Sequence, residues 1–451
     1  MARSITVKFP LHGFGWMMLG AALMQTGRSA DALTSMKKAA ALSPGDAGVH
    51  SNLGNILQSL GQLDEAEASY RRALQIKPEF AEALCNLSNT LRDLGRSGEA
   101  EVFIRRALQI KPEFVEALCN LANILCDLAR FEEAEVSLRR ALQIRPGRAE
   151  THNNLGVIFQ SMGRLHDAEA SYRRAITLNP DYADAYGNLG GLLKGQGKLD
   201  EALACLQQQV RLSPENGEAQ HMIASLTGEN TERAPSQYVV KVFDGYAEKF
   251  DKHLQQVLKY EAPVRLVEII ARHAAPPAEK WNVLDLGCGT GLVGLAISPY
   301  ARQLVGVDLS ARMLGKARER NLYHRLERLD LLAMMRGEKT SSYDVIIAAD
   351  VFIYLGKIDE IVSEAKRLLC PGGLLSFSVE AFEEPANAEA GQGEQRDFKL
   401  ENTGRYSQSP GYLNRLASAN SFQTLEMAPA QIRMEHGRPI NGYLVLWKKS
   451  N

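Results

Sequence analysis

Three glycines at alternate positions interrupt an apolar run near the middle of the chain. The run Val283–Leu286 includes an acid, Asp285, and an apolar helical pattern resumes at Leu292; the glycines between them are Gly287, Gly289 and Gly291. Glycine lacks a Cβ, so the backbone of such a turn can lie against a ligand and adopt positive φ without strain. The N-terminus of a following helix would add free N–H donors. The stretch therefore predicts a strand, a tight turn and a helix around a nucleoside cofactor.

Two further acids end or follow the next expected strands. Asp308 ends the next apolar run, and Asp330 follows a third expected strand. An acid at the end of the second strand suits ribose hydroxyls. The spacing of Gly289, Gly291 and Gly294 also fits the dinucleotide pattern GxGxxG, so a dinucleotide is one candidate. A carboxylate before the turn disfavours a pyrophosphate and suits a positively charged amino group.

The residues around these motifs alternate between strand-like and helix-like patterns, which predicts a parallel α/β sheet. Strands are expected near 281–286, 303–308, 325–329, 343–349 and 373–379, with a final pair at 421–428 and 440–448. Ligands bind such sheets at the carboxyl ends of the strands. The acids and the glycine turn are expected to meet at that edge.

Together with Pro371-Gly372-Gly373 before a strand, these motifs resemble the class I S-adenosylmethionine-dependent methyltransferases, over residues 235–451. The resemblance implies a Rossmann-like α/β domain, a seven-stranded, mostly parallel sheet and S-adenosyl-L-methionine as cofactor. It carries cofactor-binding roles position by position onto Asp285, Gly287, Gly289, Gly291, Asp308 (ribose), Leu309 (adenine face), Asp330 and Leu331 (adenine edge), and Ala349 (near the methyl group). The alternatives are a tight turn alone for the glycines and a helix N-cap for Asp308.

Aromatic and acidic residues alternate just before this domain, between Tyr238 and Leu254. The segment resembles the N-terminal part of small-molecule and carrier-linked methyltransferases, which implies lid helices over 235–272. Tyr238, Tyr246 and Phe250 are then expected near the cofactor, with Tyr246 among the residues that contact it. The alternative is an amphipathic helix packed on the sheet edge.

Methyl transfer from a sulfonium needs little acid catalysis, and a base matters only if the acceptor carries a proton. The candidate catalytic residues are Asp350, Tyr406 and His253, with Tyr354 as a further base candidate. A lone His is more often a surface or packing residue than a base. The stretch from Ala349 to Tyr354 lacks the Asn-Pro-Pro-Tyr pattern of amide and adenine N-methyltransferases. Arg405 could hold an acidic substrate or lie at the surface.

The first half of the chain repeats itself every 34 residues: Arg71 to Phe80 recurs as Arg105 to Phe114 and, more loosely, from Arg139 and from Arg173. That period indicates helix–turn–helix units that bury their apolar faces only by stacking. The units resemble tetratricopeptide repeats, which implies an α-solenoid. Six repeats are expected over 13–216, after an N-terminal extension at 1–12 and before a capping helix and linker at 217–234.

One polar position recurs in five successive repeats. It is occupied by asparagine on the first helix of each pair: Asn52, Asn86, Asn120, Asn154 and Asn188. By the resemblance, those helices line the concave groove, and each amide offers both donors and an acceptor. The ladder is therefore a candidate binding site for an extended peptide or protein partner. The alternative is that duplicated repeats share the residue by descent.

Composition is that of an ordinary globular protein: 451 residues, 45% hydrophobic, formal net charge −1 and six scattered cysteines. No basic footprint for nucleic acid or a membrane surface is apparent. The absence of a Cys-x-x-Cys pair argues against a zinc site or a disulfide framework and favours the cytoplasm. We expect a methyltransferase whose repeats recruit a protein or carrier-protein substrate. The alternatives are a small-molecule enzyme with repeats for assembly, and a non-catalytic cofactor-binding scaffold.

Overall fold

The structure is a computed structural model that describes residue 6 and residues 10–244, 261–274, 280–382, 396–435 and 438–450. It divides into two compact units, an N-terminal unit of residues 1–208 and a C-terminal unit of residues 209–451.

The N-terminal unit is an α-solenoid of paired antiparallel helices. Its described helices are α1 (Gly13–Gln25), α2 (Ser29–Leu42), α3 (Ala47–Ser59), α4 (Leu63–Ile76), α5 (Ala81–Asp93), α6 (Ser97–Ile110), α7 (Val115–Asp127), α8 (Phe131–Ile144), α9 (Ala149–Ser161), α10 (Leu165–Leu178), α11 (Ala183–Gly195) and α12 (Leu199–Leu212). Helix α12 runs across the division between the units. The helical repeats predicted from the 34-residue period are confirmed.

Small residues let the two helices of each repeat approach closely. The alanine at the helix–helix contact is fully buried in every repeat: Ala32, Ala66, Ala100, Ala134, Ala168 and Ala202. Glycine on the first helix makes similar room, because a Cβ at Gly54 would lie 2.6 Å from the ring of Tyr70. The turn between the helices needs positive φ, which glycine supplies in five repeats and Ala129 adopts at +57° in the other. A side chain in that region is strained.

Ion pairs join successive repeats along the second helices. Arg130 contacts Glu101 of the preceding repeat at 2.7 Å and Glu133 of its own helix at 2.6 Å. Arg96 and Arg164 make the corresponding pairs one repeat earlier and later. The acid of the preceding repeat is mostly buried, with Glu101 at 17% exposure. Register between repeats is thus fixed by charge as well as by apolar packing.

The C-terminal unit is an α/β domain. Its described strands are β1 (Trp281–Leu286), β2 (Ala301–Asp308), β3 (Arg325–Arg328), β4 (Tyr343–Ala348), β5 (Leu369–Ala381), β6 (Phe398–Leu400), β7 (Tyr406–Gln408), β8 (Phe422–Glu435) and β9 (Arg438–Lys449). The helices are α13 (Gly217–Thr227), α14 (Ser236–Asp244), α15 (Ala262–His273), α16 (Leu292–Ile297), α17 (Ala311–Glu319), α18 (Leu331–Gly337), α19 (Asp359–Leu368) and α20 (Pro410–Ala419).

Seven strands form the main sheet, in the order β3-β2-β1-β4-β5-β9-β8, with β9 antiparallel to both of its neighbours. The mostly parallel sheet expected from the sequence is therefore confirmed, and its seven expected strands are present among the nine strands of the described sheet. Two apolar layers cover it, one around Phe377 and Trp447 and the other around Ile270 and Val345. Strands β6 and β7 were not predicted; they are three residues each and form a hairpin whose β7 pairs with the end of β5.

The segment after helix α13 packs on the same α/β unit. The side chain of Asn230 bonds to the backbone of Phe398 and Leu400 in β6, at 2.8 and 2.9 Å. Ala234 donates its N–H to the carbonyl of Tyr354 at 2.9 Å. Helix α13 adds His221, which is buried and lies 2.9 Å from the carbonyl oxygen of Gly404. Residues 217–234 were expected to be a cap and linker. They also pack against the α/β unit beside β6 and β7.

Candidate active site

The glycine turn lies at the carboxyl end of β1, as expected. Gly287, Gly289 and Gly291 all have positive φ, at +64°, +53° and +89°. A Cβ at Gly287 would lie 2.5 Å from Val351, so glycine is required there by packing as well as by backbone conformation. A Cβ at Gly289 would meet no described atom within 4 Å. The turn is therefore open at its central glycine, where a ligand could approach the backbone.

Asp308, at the end of β2, holds this turn in place. One carboxylate oxygen accepts the N–H of Gly289 at 2.9 Å, and the other accepts the N–H of Ser310 at 2.8 Å. The N-cap of helix α17 is Ser310 itself, whose hydroxyl accepts the N–H of Met313. Burial raises the pKa of Asp308 above its ordinary value. Each oxygen retains acceptor capacity for a further hydroxyl donor.

Asp285 is fully buried at the end of β1. Its Oδ2 accepts a hydrogen bond from the Tyr323 hydroxyl at 2.6 Å, and its Oδ1 has no hydrogen-bond partner among the described residues. Burial, assisted by the nearby charge of Asp308, raises the pKa of Asp285 to about 7, although the Tyr323 hydrogen bond opposes the rise. An unpaired carboxylate oxygen in the interior is costly unless a donor arrives.

Asp330 and Leu331 lie at the start of helix α18. Asp330 is its N-cap, since Oδ1 accepts the N–H groups of Leu332 and Ala333 at 3.0 and 3.4 Å. The other oxygen, Oδ2, lies 3.8 Å from the guanidinium of Arg233. Leu309 follows Asp308 directly and is half-buried. The predicted ribose and adenine residues therefore follow the adjacent strands β2 and β3.

Ala349 and Asp350 follow β4 directly. Asp350 has φ +59°, a region that non-glycine residues seldom occupy and that is often found at functional sites. Its N–H donates to the hydroxyl of Ser378 at 2.8 Å, and its carboxylate bonds to Arg433 at 2.7 and 2.9 Å. Backbone and side chain are thus both held, and the residue lies next to the Val351 contact with Gly287.

A buried charge cluster surrounds Asp350, and the sequence reasoning missed most of it. Arg433 on β8 pairs with Glu380 at the end of β5 as well as with Asp350, and Arg405 lies 3.1 Å from Glu380. The side chains of Arg433 and Glu380 are 4% and 8% exposed. Burial raises the pKa of Glu380, against the effect of the two arginines. The sequence feature that could have indicated this cluster is Glu380, an acid directly after the apolar run Leu374–Val379.

The other candidate bases are placed differently. Tyr406 is fully buried in β7 and its hydroxyl lies 2.5 Å from that of Thr231. Burial raises the pKa of Tyr406 to about 12, which makes it a poor base near neutral pH. Its catalytic role remains a prediction. His253, Tyr246 and Phe250 lie outside the described residues.

Helix α14 lies beside the candidate site. Tyr238 packs its ring 5.0 Å from that of His221 and 6.4 Å from that of Tyr354, and Phe243 packs edge-on to Tyr354 at 5.5 Å. Asp244, at the end of this helix, accepts a hydrogen bond from the Ser310 hydroxyl. The helix therefore contacts elements that follow β2 and β4, the two strands that carry Asp308 and Asp350.

The asparagine ladder lies on the first helices of the repeats, as predicted, and its five side chains are half-buried. Some of the amides contact the neighbouring repeat. Asn86 donates to Asn55 at 2.8 Å, Asn188 donates to Asn153 at 2.9 Å, and Asn120 donates to the sulfur of Cys85 at 3.2 Å. Each amide still has a second N–H and an oxygen with which to bind a ligand.

In the part of the chain that the structure describes, no helix is both long and apolar enough to cross a bilayer. The same residues contain no cluster of three His, Cys, Asp or Glu side chains arranged to hold a metal ion.

Comparison with known families identifies a methyltransferase domain over residues 284–375, from β1 to β5. Tetratricopeptide repeats match at 15–46, 47–80, 81–114, 113–181 and 148–215. The methyltransferase match lies inside residues 235–451, and the repeat matches lie inside residues 13–216, the regions over which the two resemblances were inferred.

Several curated proteins to which the chain is similar are O-methyltransferases. A malonyl-[acyl-carrier protein] O-methyltransferase of Halalkalibacterium halodurans is 34% identical over 153 residues, 32% of this chain and 55% of the relative. A ubiquinone biosynthesis O-methyltransferase of Chelativorans sp. is 34% identical over 128 residues, 25% of this chain and 49% of the relative. The chain thus spans about half the length of these relatives. A solved tetratricopeptide protein of Thermus thermophilus is 26% identical with a TM-score of 0.37, covering 40% of this chain and 98% of that one, a likeness too weak to carry an argument.

Proposed function

The chain joins tetratricopeptide repeats to a methyltransferase domain, and on that basis we propose that it is an S-adenosylmethionine-dependent methyltransferase whose repeats bind a protein or carrier-protein substrate. The main support for the cofactor assignment is the group of hydrogen-bond donors and acceptors at the carboxyl ends of β1 to β3. It combines an open glycine turn, a ribose-type acid that holds that turn and a buried carboxylate oxygen without a partner among the described residues. We place the enzyme in the cytoplasm.

The residues present fit this cofactor. Asp308 would accept the ribose hydroxyls, with Leu309 against the adenine face and Asp330 and Leu331 at its edge. Asp285 would accept the amino group of the methionine part, which supplies the donor that its Oδ1 lacks among the described residues. A dinucleotide fits this site less well, because its pyrophosphate would lie near a buried acid.

S-adenosylmethionine, when bound, supplies a methyl group on a sulfonium centre. The protein's contribution is to position the acceptor and exclude water, and such positioning can be worth about 7–11 kcal/mol. Ala349 and Asp350 would border the reacting groups, and Arg433 fixes the Asp350 carboxylate. Because Asp350 is tied to an arginine, we assign it to orientation of the acceptor rather than to proton removal.

Calorimetry with S-adenosylmethionine on the wild type and on Asp308→Ala tests the cofactor assignment. We expect saturable binding by the wild type and a large loss of affinity in the variant. Asp397→Ala, which removes an exposed acid of the same unit, is the control and should bind like the wild type. Failure of the wild type to bind would overturn the assignment.

Incubation with labelled S-adenosylmethionine and cell lysate tests the substrate class. We expect the label in protein, because the repeats provide five half-buried amides on one set of helices. Label in small molecules alone would favour the assembly role, which the contacts of Asn86 and Asn188 with neighbouring repeats also support. Binding without transfer to either fraction would favour the scaffold.

The small-molecule alternative can also be tested by deletion of the repeats. The deletion should end at residue 208, since helix α13 and residues 230–234 pack on the α/β unit. If the enzyme acts on a small molecule and the repeats serve assembly only, removal of residues 1–208 would leave turnover of that molecule intact. Removal of the whole stretch to residue 227 would also take away the His221 contact with Gly404.

A further inference from the structure

Tyr323 occupies a channel made by three glycines around the candidate cofactor turn. It lies between helix α17 and β3, and its ring fills the space that side chains at these positions would need. A Cβ would meet Tyr323 atoms at 3.1 Å from Gly291, 2.6 Å from Gly294 and 2.8 Å from Gly306. The third glycine of the GxGxxG spacing is thus explained by a tyrosine ring rather than by a pyrophosphate.

The channel brings the Tyr323 hydroxyl to a single acceptor. It donates to Oδ2 of Asp285 at 2.6 Å, 38 residues away in sequence. Asp285 is fully buried, and its other oxygen has no partner within the described residues. A carboxylate with one oxygen fixed by a hydrogen bond leaves the other to accept one further donor, and hydrogen bonds to a charged acceptor are short and strong.

We propose that Tyr323 is a positioning residue for cofactor binding, which favours the ionised form of Asp285 and orients the carboxylate so that its Oδ1 receives the ammonium group of S-adenosylmethionine. The proposal rests on the proposed function, because it concerns the same site. It adds a residue outside the glycine turn and the three acids, and it makes cofactor affinity depend on pH.

The groups that face Asp285 define this dependence. Asp308 on β2 disfavours its ionisation, and Tyr323 favours it. The thiol of Cys288 in the turn has a pKa raised well above its ordinary value by burial, so it stays neutral. Burial raises the pKa of Asp285 itself to about 7. An ammonium ligand binds the ionised form, so affinity should fall as pH decreases below about 7.

Loss of the Tyr323 hydroxyl should shift the fall in cofactor affinity to a higher pH. The hydroxyl stabilises the carboxylate, so Tyr323→Phe should raise the pKa of Asp285 further. The ligand's own amino group titrates near pH 8 and limits affinity on the alkaline side. Titration of the ligand affects both proteins equally. The ratio of their Kd values therefore reports only the effect of Asp285 ionisation.

The experiment measures the Kd of S-adenosylmethionine by calorimetry between pH 5.5 and 8.5, on the full chain and on Tyr323→Phe. We expect the variant to bind about tenfold more weakly at pH 6, as a change of one pKa unit implies, with a ratio that falls towards one as pH rises. 5′-Methylthioadenosine, which lacks the amino acid part, should show no such dependence. Tyr343→Phe is the matched control, because it removes another hydroxyl–carboxylate bond, to Glu338 at 2.8 Å.

The outcomes separate the two proposals. If the wild type does not bind the cofactor at any pH, the proposed function is wrong and this inference is wrong with it. If both proteins bind the cofactor and the ratio of their Kd values is the same at every pH, Tyr323 has only a structural role. That result would overturn this inference and leave the proposed function standing. An identical pH profile for S-adenosylmethionine and 5′-methylthioadenosine would do the same.

Discussion

Arg433 donates to both carboxylate oxygens of Asp350, at 2.7 and 2.9 Å, across 83 residues of sequence. The arginine lies on β8 at the edge of the sheet, whereas the aspartate follows β4 near its centre. The same guanidinium also pairs with Glu380 on β5. A buried acid, Glu380, and a partly buried acid, Asp350, therefore share Arg433 at neighbouring strand ends, and Arg405 also lies beside Glu380.

Replacement of Arg433 by methionine should destabilise the α/β unit by about 3–5 kcal/mol, because it leaves the buried Glu380 and the partly buried Asp350 without their shared partner. The free energy of unfolding in urea checks this. Arg415→Met is the control, since its pair with Asp397 is exposed and should be worth about 1 kcal/mol or less. Equal losses in the two variants would contradict the role assigned to the cluster.

Replacement of Asp285 by asparagine should stabilise the cofactor-free protein at pH 8 and abolish cofactor binding. The folded-state pKa of Asp285 is raised to about 7, so the folded protein holds a proton that the unfolded chain releases near pH 4. Stability should therefore fall as pH rises from about 4 to 7, by about 4 kcal/mol at most, and stay low above that range.

Thermal unfolding at pH 5 and pH 8 measures this linkage. We expect the asparagine variant and the wild type to differ little at pH 5, where Asp285 is protonated. At pH 8 the variant should unfold at the higher temperature. A wild type that loses no stability relative to the variant between these pH values would contradict the raised pKa.

Replacement of Ala129 by glycine should stabilise the repeat unit by about 1 kcal/mol. Ala129 has φ +57° at a turn where the other repeats have glycine, and a side chain there costs about 1–2 kcal/mol before the greater chain entropy of glycine is counted. Urea unfolding followed by circular dichroism of the helices checks this. The reverse change, Gly163→Ala at φ +74°, should destabilise by a similar amount.

Replacement of Asn86, Asn120 and Asn154 by alanine should abolish methylation of a protein substrate and leave cofactor affinity unchanged. These amides lie on the first helices, which the resemblance assigns to the groove. Gln75, Gln109 and Gln143 have the same spacing on the second helices and are exposed, so their triple replacement is the control. Unaltered labelling in the asparagine variant would rule out the ladder as the substrate site.

The strand boundaries show how far local pattern suffices. Strands β1 to β5 were predicted to within four residues. Strands β1, β2, β4 and β5 contain apolar runs, whereas β3 (Arg325–Arg328) is mostly charged. The hairpin of β6 and β7 was missed, since strands of three residues carry no periodicity. The linker within residues 217–234 was predicted, but its hydrogen bonds to Tyr354 and Gly356 join backbone atoms and leave no mark in composition.

The sequence by itself determined the repeats, the order of elements and the position of the acids and glycines, because periodicity and turn chemistry are local. Tertiary structure alone decided which groups share a site. Tyr323 reaches Asp285 only because glycines on the turn, helix α16 and β2 leave space for its ring. Arg433 reaches Asp350 only because β8 and β4 end at the same edge of one sheet. Such contacts join residues far apart in sequence, so no local pattern records them.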